Sequence, residues 1–141
     1  MLQNAQRLDA VMAVLRDAGA SRVLDLGCGP GPLLLRLAAS GWAREIVGLD
    51  VDPGELRQAR AALADEGWAQ DPRVRLVQGD LLRPDPALAG FDAAALVETI
   101  EHVDPGRLSA LEHGVFAVLR PDLVVVTTPN ADYNPLYGRA E

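Results

Sequence analysis

Val23-Leu24-Asp25-Leu26-Gly27-Cys28-Gly29-Pro30-Gly31 is the stretch on which the reading of this chain turns. An apolar strand runs into three glycines spaced two apart, and a leucine-rich helical segment follows from Leu33. Such a junction puts a tight backbone turn at the carboxyl end of a strand, where an open α/β sheet receives its ligand. Glycine serves there because a Cβ would block the ligand or forbid the backbone angles. Asp25 adds a carboxylate at the strand end, beneath the loop. The spacing is neither the G-x-G-x-x-G of dinucleotide dehydrogenases nor the G-x-x-x-x-G-K-[ST] of nucleoside triphosphatases, and no lysine follows to hold a phosphate. The loop of Gly27, Gly29 and Gly31 therefore suits a ligand without a pyrophosphate.

Working outward, the segments on either side alternate between strand and helix patterns. Leu8, Val11, Met12 and Leu15 stand at helical spacing within residues 5–18 and predict an amphipathic helix on the sheet. The first strand covers 21–26, and the helix after the glycine loop covers 33–39, with Pro30 and Pro32 near its first turn. The second strand is 45–49. Asp52-Pro53-Gly54-Glu55 then reads as an acidic cap with proline at the first helical position, opening a helix over 53–66. Strands are expected at 74–78, from Phe91 through Val97, and at 123–127. A helix from Asp104-Pro105 carries Leu108, Leu111, Val115 and Leu119 on its apolar face. With right-handed crossovers, this order predicts a doubly wound parallel sheet arranged 3-2-1-4-5.

The chain has 141 residues, enough for one domain over 1–141, and 49% of them are hydrophobic, as a globular core requires. No apolar run reaches the roughly 18 residues of a membrane span, and the polar, amphipathic N-terminus is not a signal peptide. No membrane association is expected. The single cysteine, Cys28, allows no internal disulfide and fits a reducing cytoplasm. A net charge of −7 carries no basic footprint over the whole chain, which counts against autonomous nucleic-acid binding. A local basic rim or a partner segment stays compatible with it.

Asp25, Asp50 and Asp80 stand at the ends of the first three strands, which lie side by side above one crevice in a parallel sheet. An acidic residue after the second strand is well placed to accept hydrogen bonds from ribose hydroxyls, the role expected of Asp50. Asp50 and Asp52 also read as turn or cap residues, and Asp80 as a plain strand end. Cys28, between two glycines, reads as a small residue that fits.

After the fourth strand comes Val97-Glu98-Thr99-Ile100-Glu101-His102. On a helical or turn-like path, spacings of three and four bring Glu98, Glu101 and His102 to one side. Two carboxylates and an imidazole together are costly unless a cation joins them. A divalent metal would do so, and mixed oxygen and nitrogen donors suit Mn²⁺, Fe²⁺ or Co²⁺ better than Mg²⁺. The same residues also read as a capped, solvated loop with His102 exposed.

Two resemblances add to these readings. D-x-G-x-G-x-G, from Asp25 to Gly31, resembles the first motif of the S-adenosylmethionine-dependent methyltransferases. Asp80-Leu81 resembles their pattern of an acidic side chain at the adenine amino group beside an apolar neighbour that packs the ring. A sulfonium ligand is cationic, so an acidic crevice suits it. Glu98-Thr99-Ile100-Glu101-His102, followed by Val124-Val125-Val126-Thr127-Thr128-Pro129-Asn130, resembles the small-RNA 3′-terminal ribose 2′-O-methyltransferases, in plants and in bacterial RNA repair. The opening Asn4-Ala5-Gln6-Arg7-Leu8 is similar to bacterial members.

The resemblance implies a Rossmann-like class I methyltransferase fold that uses S-adenosylmethionine and a divalent metal, Mn²⁺ or Mg²⁺. It implies cofactor binding by Asp25, Gly27, Gly29, Gly31, Asp50, Asp80 and Leu81, and metal binding by Glu98, Glu101 and His102. His102, or a second histidine, would help remove the proton. It further implies an RNA 3′ end as substrate and an RNA-repair kinase or ligase as partner.

That fold normally continues with a further helix and an antiparallel strand pair, whereas this chain turns Gly/Asn/Pro-rich after Pro129 and stops. A truncated chain lacking its C-terminal strands is therefore expected. The family's second histidine ligand lies well beyond T-P-N, so an incomplete metal site is expected too. The remaining histidine, His113, reads as a helix surface or packing residue. Two competing readings stay open: a small-molecule methyltransferase with the same cofactor site, and a non-catalytic cofactor-binding interaction module.

Overall fold

The computed structural model describes residues 2–127 and 136–138. Five parallel strands form its sheet: β1 (Arg22–Leu26), β2 (Glu45–Asp50), β3 (Val74–Gln78), β4 (Ala93–Val97) and β5 (Leu123–Thr127). A short β6 (Leu136–Gly138) runs antiparallel beside β5. The order is β3-β2-β1-β4-β5-β6, so the expected 3-2-1-4-5 arrangement holds and an edge strand extends it. β6 falls in the turn-rich stretch where no strand was expected. Thr128, Pro129 and Asn130 lie outside the described residues.

Strand residues alternate between two apolar layers, so both faces of the sheet are covered and the strands read as nearly continuous apolar runs. Val23, Ile46, Ala93 and Ala95 join the layer beneath α1 (Leu2–Asp17), α2 (Pro32–Ser40) and α3 (Pro53–Asp65). Leu24, Leu26, Val47, Leu49 and Leu96 join the other layer, with Phe91, Leu111, Val115 and Leu119. Leu8, Val11 and Leu15, the apolar stripe of α1, are all buried. Asp52 caps α3 by accepting a hydrogen bond from the Gly54 amide at 2.8 Å, with Pro53 in the first turn.

Two local readings change. The helix expected from Asp104 is composite: a 3-10 turn (Pro105–Arg107), then α4 (Leu108–Glu112), then a π-helical stretch (His113–Leu119). Its buried apolar side chains Leu111, Val115 and Leu119 are spaced by four. A strict α-helix would carry each about 40° further round than the last. The wider winding counters that drift and keeps all three on the sheet. The fourth strand, expected from Phe91, begins at Ala93. Asp92 instead accepts hydrogen bonds from the Ser21 and Arg22 amides at 2.9 Å each, tying the strand entrance to that of β1.

The strand order turns back between β1 and β4. At their carboxyl ends the crossovers diverge to opposite faces, leaving the crevice in which α/β sheets bind ligands.

Candidate active site

The loop from β1 to α2 is built for close approach. Gly27, Gly29 and Gly31 all occupy the left-handed region, with φ of 76°, 56° and 94°. The amides of Gly27 and Cys28 both donate to the Leu49 carbonyl, at 2.8 and 2.9 Å, strapping the loop to the end of β2. A Cβ on Gly27 would come within 2.7 Å of the Thr99 Cγ2. The glycine loop thus lies directly against the turn that follows β4.

Asp50 holds this loop from the side. Its Oδ2 accepts from the Gly29 amide at 2.8 Å, and its Oδ1 accepts from the Asp52 amide at 2.9 Å. Beyond its expected ligand role it is therefore a structural tie. Asp80 accepts from the Leu82 amide at 2.9 Å, a local turn that presents Asp80 and Leu81 to the crevice. Asp25 is deeper, only 2% exposed, and its Oδ2 finds no hydrogen-bond partner among the described residues. Burial first, and the nearby Asp50 charge second, push its carboxyl up to about 7. Burial likewise holds the Cys28 thiol protonated, in keeping with a packing role.

The turn after β4 is held by three contacts that sequence reading did not supply. Glu98 has φ 54°, an uncommon conformation for a residue with a side chain. Its amide donates to the Thr127 Oγ1 at 3.0 Å, and its Oε1 pairs with the Arg7 guanidinium of α1. Thr99, nearly buried, donates to the Leu26 carbonyl at 3.1 Å. The 3-10 turn Ile100–His102 follows. Glu101 Oε1 and His102 Nε2 lie 3.8 Å apart, and the imidazole is 80% exposed.

Of the three residues expected to converge, Glu101 and His102 face one another while Glu98 is engaged by Arg7. Among the described residues no three His, Cys, Asp or Glu side chains gather closely enough to hold a metal ion. The donor set itself, two carboxylates and an imidazole opening on one crevice, suits a divalent cation. His113 is exposed on the π-helical stretch, away from the lining residues.

All the expected site residues except Gly31 line a single crevice of about 1230 Å³, joined by Thr99 and by Asn4 and Leu8 of α1. A typical small-ligand pocket holds roughly 300–1,000 Å³, so the space suits a cofactor together with the end of a substrate.

Comparison with known proteins bears on which ligands these are. Residues 23–122 match a family described as a methyltransferase domain. The methyltransferase domain of bacterial CtHen1 is 41% identical and superposes with a TM-score of 0.85, covering 93% of this chain and 68% of that one. The chain belongs to the methyltransferase domain family, alongside the bacterial CtHen1 methyltransferase domain. The small RNA 2′-O-methyltransferase of Xenopus tropicalis is 32% identical over 140 residues, 95% of this chain and 38% of that protein. A solved small RNA methyltransferase, HEN1, is 29% identical with a TM-score of 0.81, over 93% of this chain and 17% of that one. The chain thus spans well under half the length of these longer relatives. Its fold is that of the S-adenosylmethionine-dependent methyltransferases. No helix among the described residues is long and apolar enough to cross a membrane.

Proposed function

We propose that this chain is the catalytic domain of a metal-dependent enzyme that methylates the 2′-oxygen of the 3′-terminal ribose of RNA. One observation carries the reading. The turn bearing Glu98, Glu101 and His102 is stapled against the glycine loop by Thr99, so both open on one crevice.

S-adenosylmethionine supplies a sulfonium-activated methyl group. The loop of Gly27, Gly29 and Gly31 lets its backbone approach closely. Asp50 offers its remaining lone pairs to the cofactor ribose, and Asp80 with Leu81 receives the adenine. Asp25, with an unsatisfied buried oxygen, marks the floor and offers that oxygen to a hydrogen-bond donor of the ligand.

Glu98, Glu101 and His102 would hold a divalent cation, Mn²⁺ or Mg²⁺, whose chemistry there is to acidify and position a ribose hydroxyl. In the transfer, the 2′-oxygen forms a bond to the methyl carbon as the carbon–sulfur bond breaks. The electron pair stays on sulfur, leaving a thioether, and the hydroxyl proton passes to a base. His102 is that base in this reading. A neutral imidazole has one unprotonated nitrogen, so His102 accepts the proton only when that nitrogen is not on the metal; held there, it leaves the proton to another base. Most of the rate then comes from aligning oxygen, carbon and sulfur. A cytoplasmic setting and an RNA-repair kinase or ligase partner belong to the same proposal.

The test offers the intact protein matched RNAs ending in a 2′,3′-diol or a 3′-deoxyribose, with and without Mn²⁺, and a 2′-deoxy end as blank. Methylation of the diol alone, dependent on Mn²⁺ and lost in Glu101→Ala, is the expected result. Equal reaction of the 3′-deoxy end would overturn the role given to the metal. RNA methylation retained in Glu101→Ala would remove the metal from the reading, and methylation of none of these RNAs would favour a small-molecule methyltransferase.

A further inference from the structure

The crevice has a charge problem that its cofactor does not explain. Five aspartates and three glutamates line it, against one arginine, Arg107, and one histidine. Arg7 reaches Glu98 but is consumed by that ion pair. The last nucleotide of an RNA enters with a phosphodiester on the 5′ side of its ribose. In a wall of carboxylates, that anion needs a cation of its own.

Arg107 is placed to supply it. It ends the 3-10 turn Pro105–Arg107, five residues after His102, on the same wall of the crevice. Its amide is spent on the Asp104 carbonyl at 2.8 Å, which fixes the turn. Its guanidinium is exposed and makes no ion pair or hydrogen bond among the described residues. Arg16, Arg22, Arg36, Arg73 and Arg75 pair with carboxylates. Arg57, Arg60, Arg83 and Arg120 make no such pair among the described residues but lie outside the crevice lining, which leaves Arg107 as the arginine that opens on it. An unpaired guanidinium beside so many acids is kept open, and its planar fork matches two phosphate oxygens.

We propose that Arg107 binds the phosphodiester immediately 5′ of the acceptor ribose and so sets how far an RNA end enters the crevice. This rests on the RNA-end reading above. It makes Arg107 a substrate-binding residue, distinct from the groups around the methyl.

The test is a chemical double-mutant cycle on the intact protein. Arg107→Gln is compared with wild type on RNA whose last linkage is an ordinary phosphodiester or a neutral methylphosphonate. Arg107→Gln should lower kcat/KM at least tenfold on the phosphodiester RNA and leave the methylphosphonate RNA unchanged. Cofactor affinity by calorimetry should not move. An unchanged rate on phosphodiester RNA, an equal loss on both RNAs, or weakened cofactor binding would each overturn the assignment. Should wild type methylate neither RNA, the RNA-end reading falls, and this assignment with it. Wild-type activity combined with any of the first three results removes only Arg107.

Discussion

At the ends of β1 and β2 the crevice wall is made of backbone; at the end of β4 it is made of side chains. The glycine loop is held by amides, two on the Leu49 carbonyl and one on Asp50. Its shape therefore exists before any ligand arrives. The Glu98–His102 turn is held by Thr99, Thr127 and Arg7, and its imidazole stands 80% exposed. One half is preorganised for a ligand of fixed shape. The other presents acids and an imidazole whose mutual charge a cation and a substrate would settle. The two halves meet at Thr99, whose hydroxyl donates to the Leu26 carbonyl and whose side chain stands against Gly27.

Breaking that contact should have the largest effect. Gly27→Ala places a Cβ 2.7 Å from the Thr99 Cγ2, at φ 76°. We expect a loss of more than about 2 kcal/mol of stability, part from the left-handed backbone and part from overpacking. Cofactor affinity should collapse with it. Thr99→Ala removes the clashing atoms, so in a double-mutant cycle read by chemical denaturation the second change should recover about 1 kcal/mol. Strict additivity would mean the two halves are not mechanically joined.

The next effect tests how the side-chain half is held. The Arg7 side chain is 7% exposed and that of Glu98 is 37% exposed. Arg7→Gln leaves the carboxylate without its cation, at a cost of about 1–3 kcal/mol, reduced by the exposure of Glu98. The cost should largely vanish in a Glu98→Gln background. If it does not, Arg7 acts through contacts other than Glu98.

The same division decides what sequence could reveal. β3 and β5 fall at the residues where apolar runs predicted them, and Asp52-Pro53 caps its helix as its pattern implied. These are local signals, legible in any short window. The glycine loop is legible for the same reason. Arg7 and Glu98 are separated by 91 positions, so no spacing rule joins them. The positive φ of Glu98 is likewise invisible: helical spacing placed it with Glu101 and His102, whereas the observed turn sends its carboxylate to α1. Thr99 reads as an ordinary residue between two acids until its hydroxyl is seen on the Leu26 carbonyl. β6 is held by pairing with β5 against turn-forming residues, a case of tertiary context overriding composition.

Asp25 gives a smaller effect with a definite sign. An aspartate ionises near pH 3.9 in an unfolded chain. Burial keeps Asp25 protonated up to about 7 in the fold. Between those values the folded state holds the extra proton, so stability falls as pH rises from about 4 to about 7. One proton sets a slope of at most about 1.4 kcal/mol per pH unit. Asp25→Asn should flatten the denaturation free energy across that window. Asp71, held below the usual carboxylate range by its Arg73 hydrogen bond, acts at lower pH and in the opposite sense. An unchanged slope in Asp25→Asn would mean that the buried carboxyl ionises normally.

The smallest expected effect separates the two histidines. His113 projects from the π-helical stretch into solvent, while His102 opens on the crevice beside Glu101. A surface substitution away from caps, pairs and packing changes stability by about 0.5 kcal/mol or less. His113→Gln should therefore leave both denaturation midpoint and methyl transfer as they were. His102→Gln should leave the midpoint alone and abolish transfer, because an exposed imidazole contributes little to the fold. Loss of transfer in both variants would move the chemistry onto the helix and break the contrast drawn between the two walls. Loss in His102→Gln alone would confine it to the turn after β4.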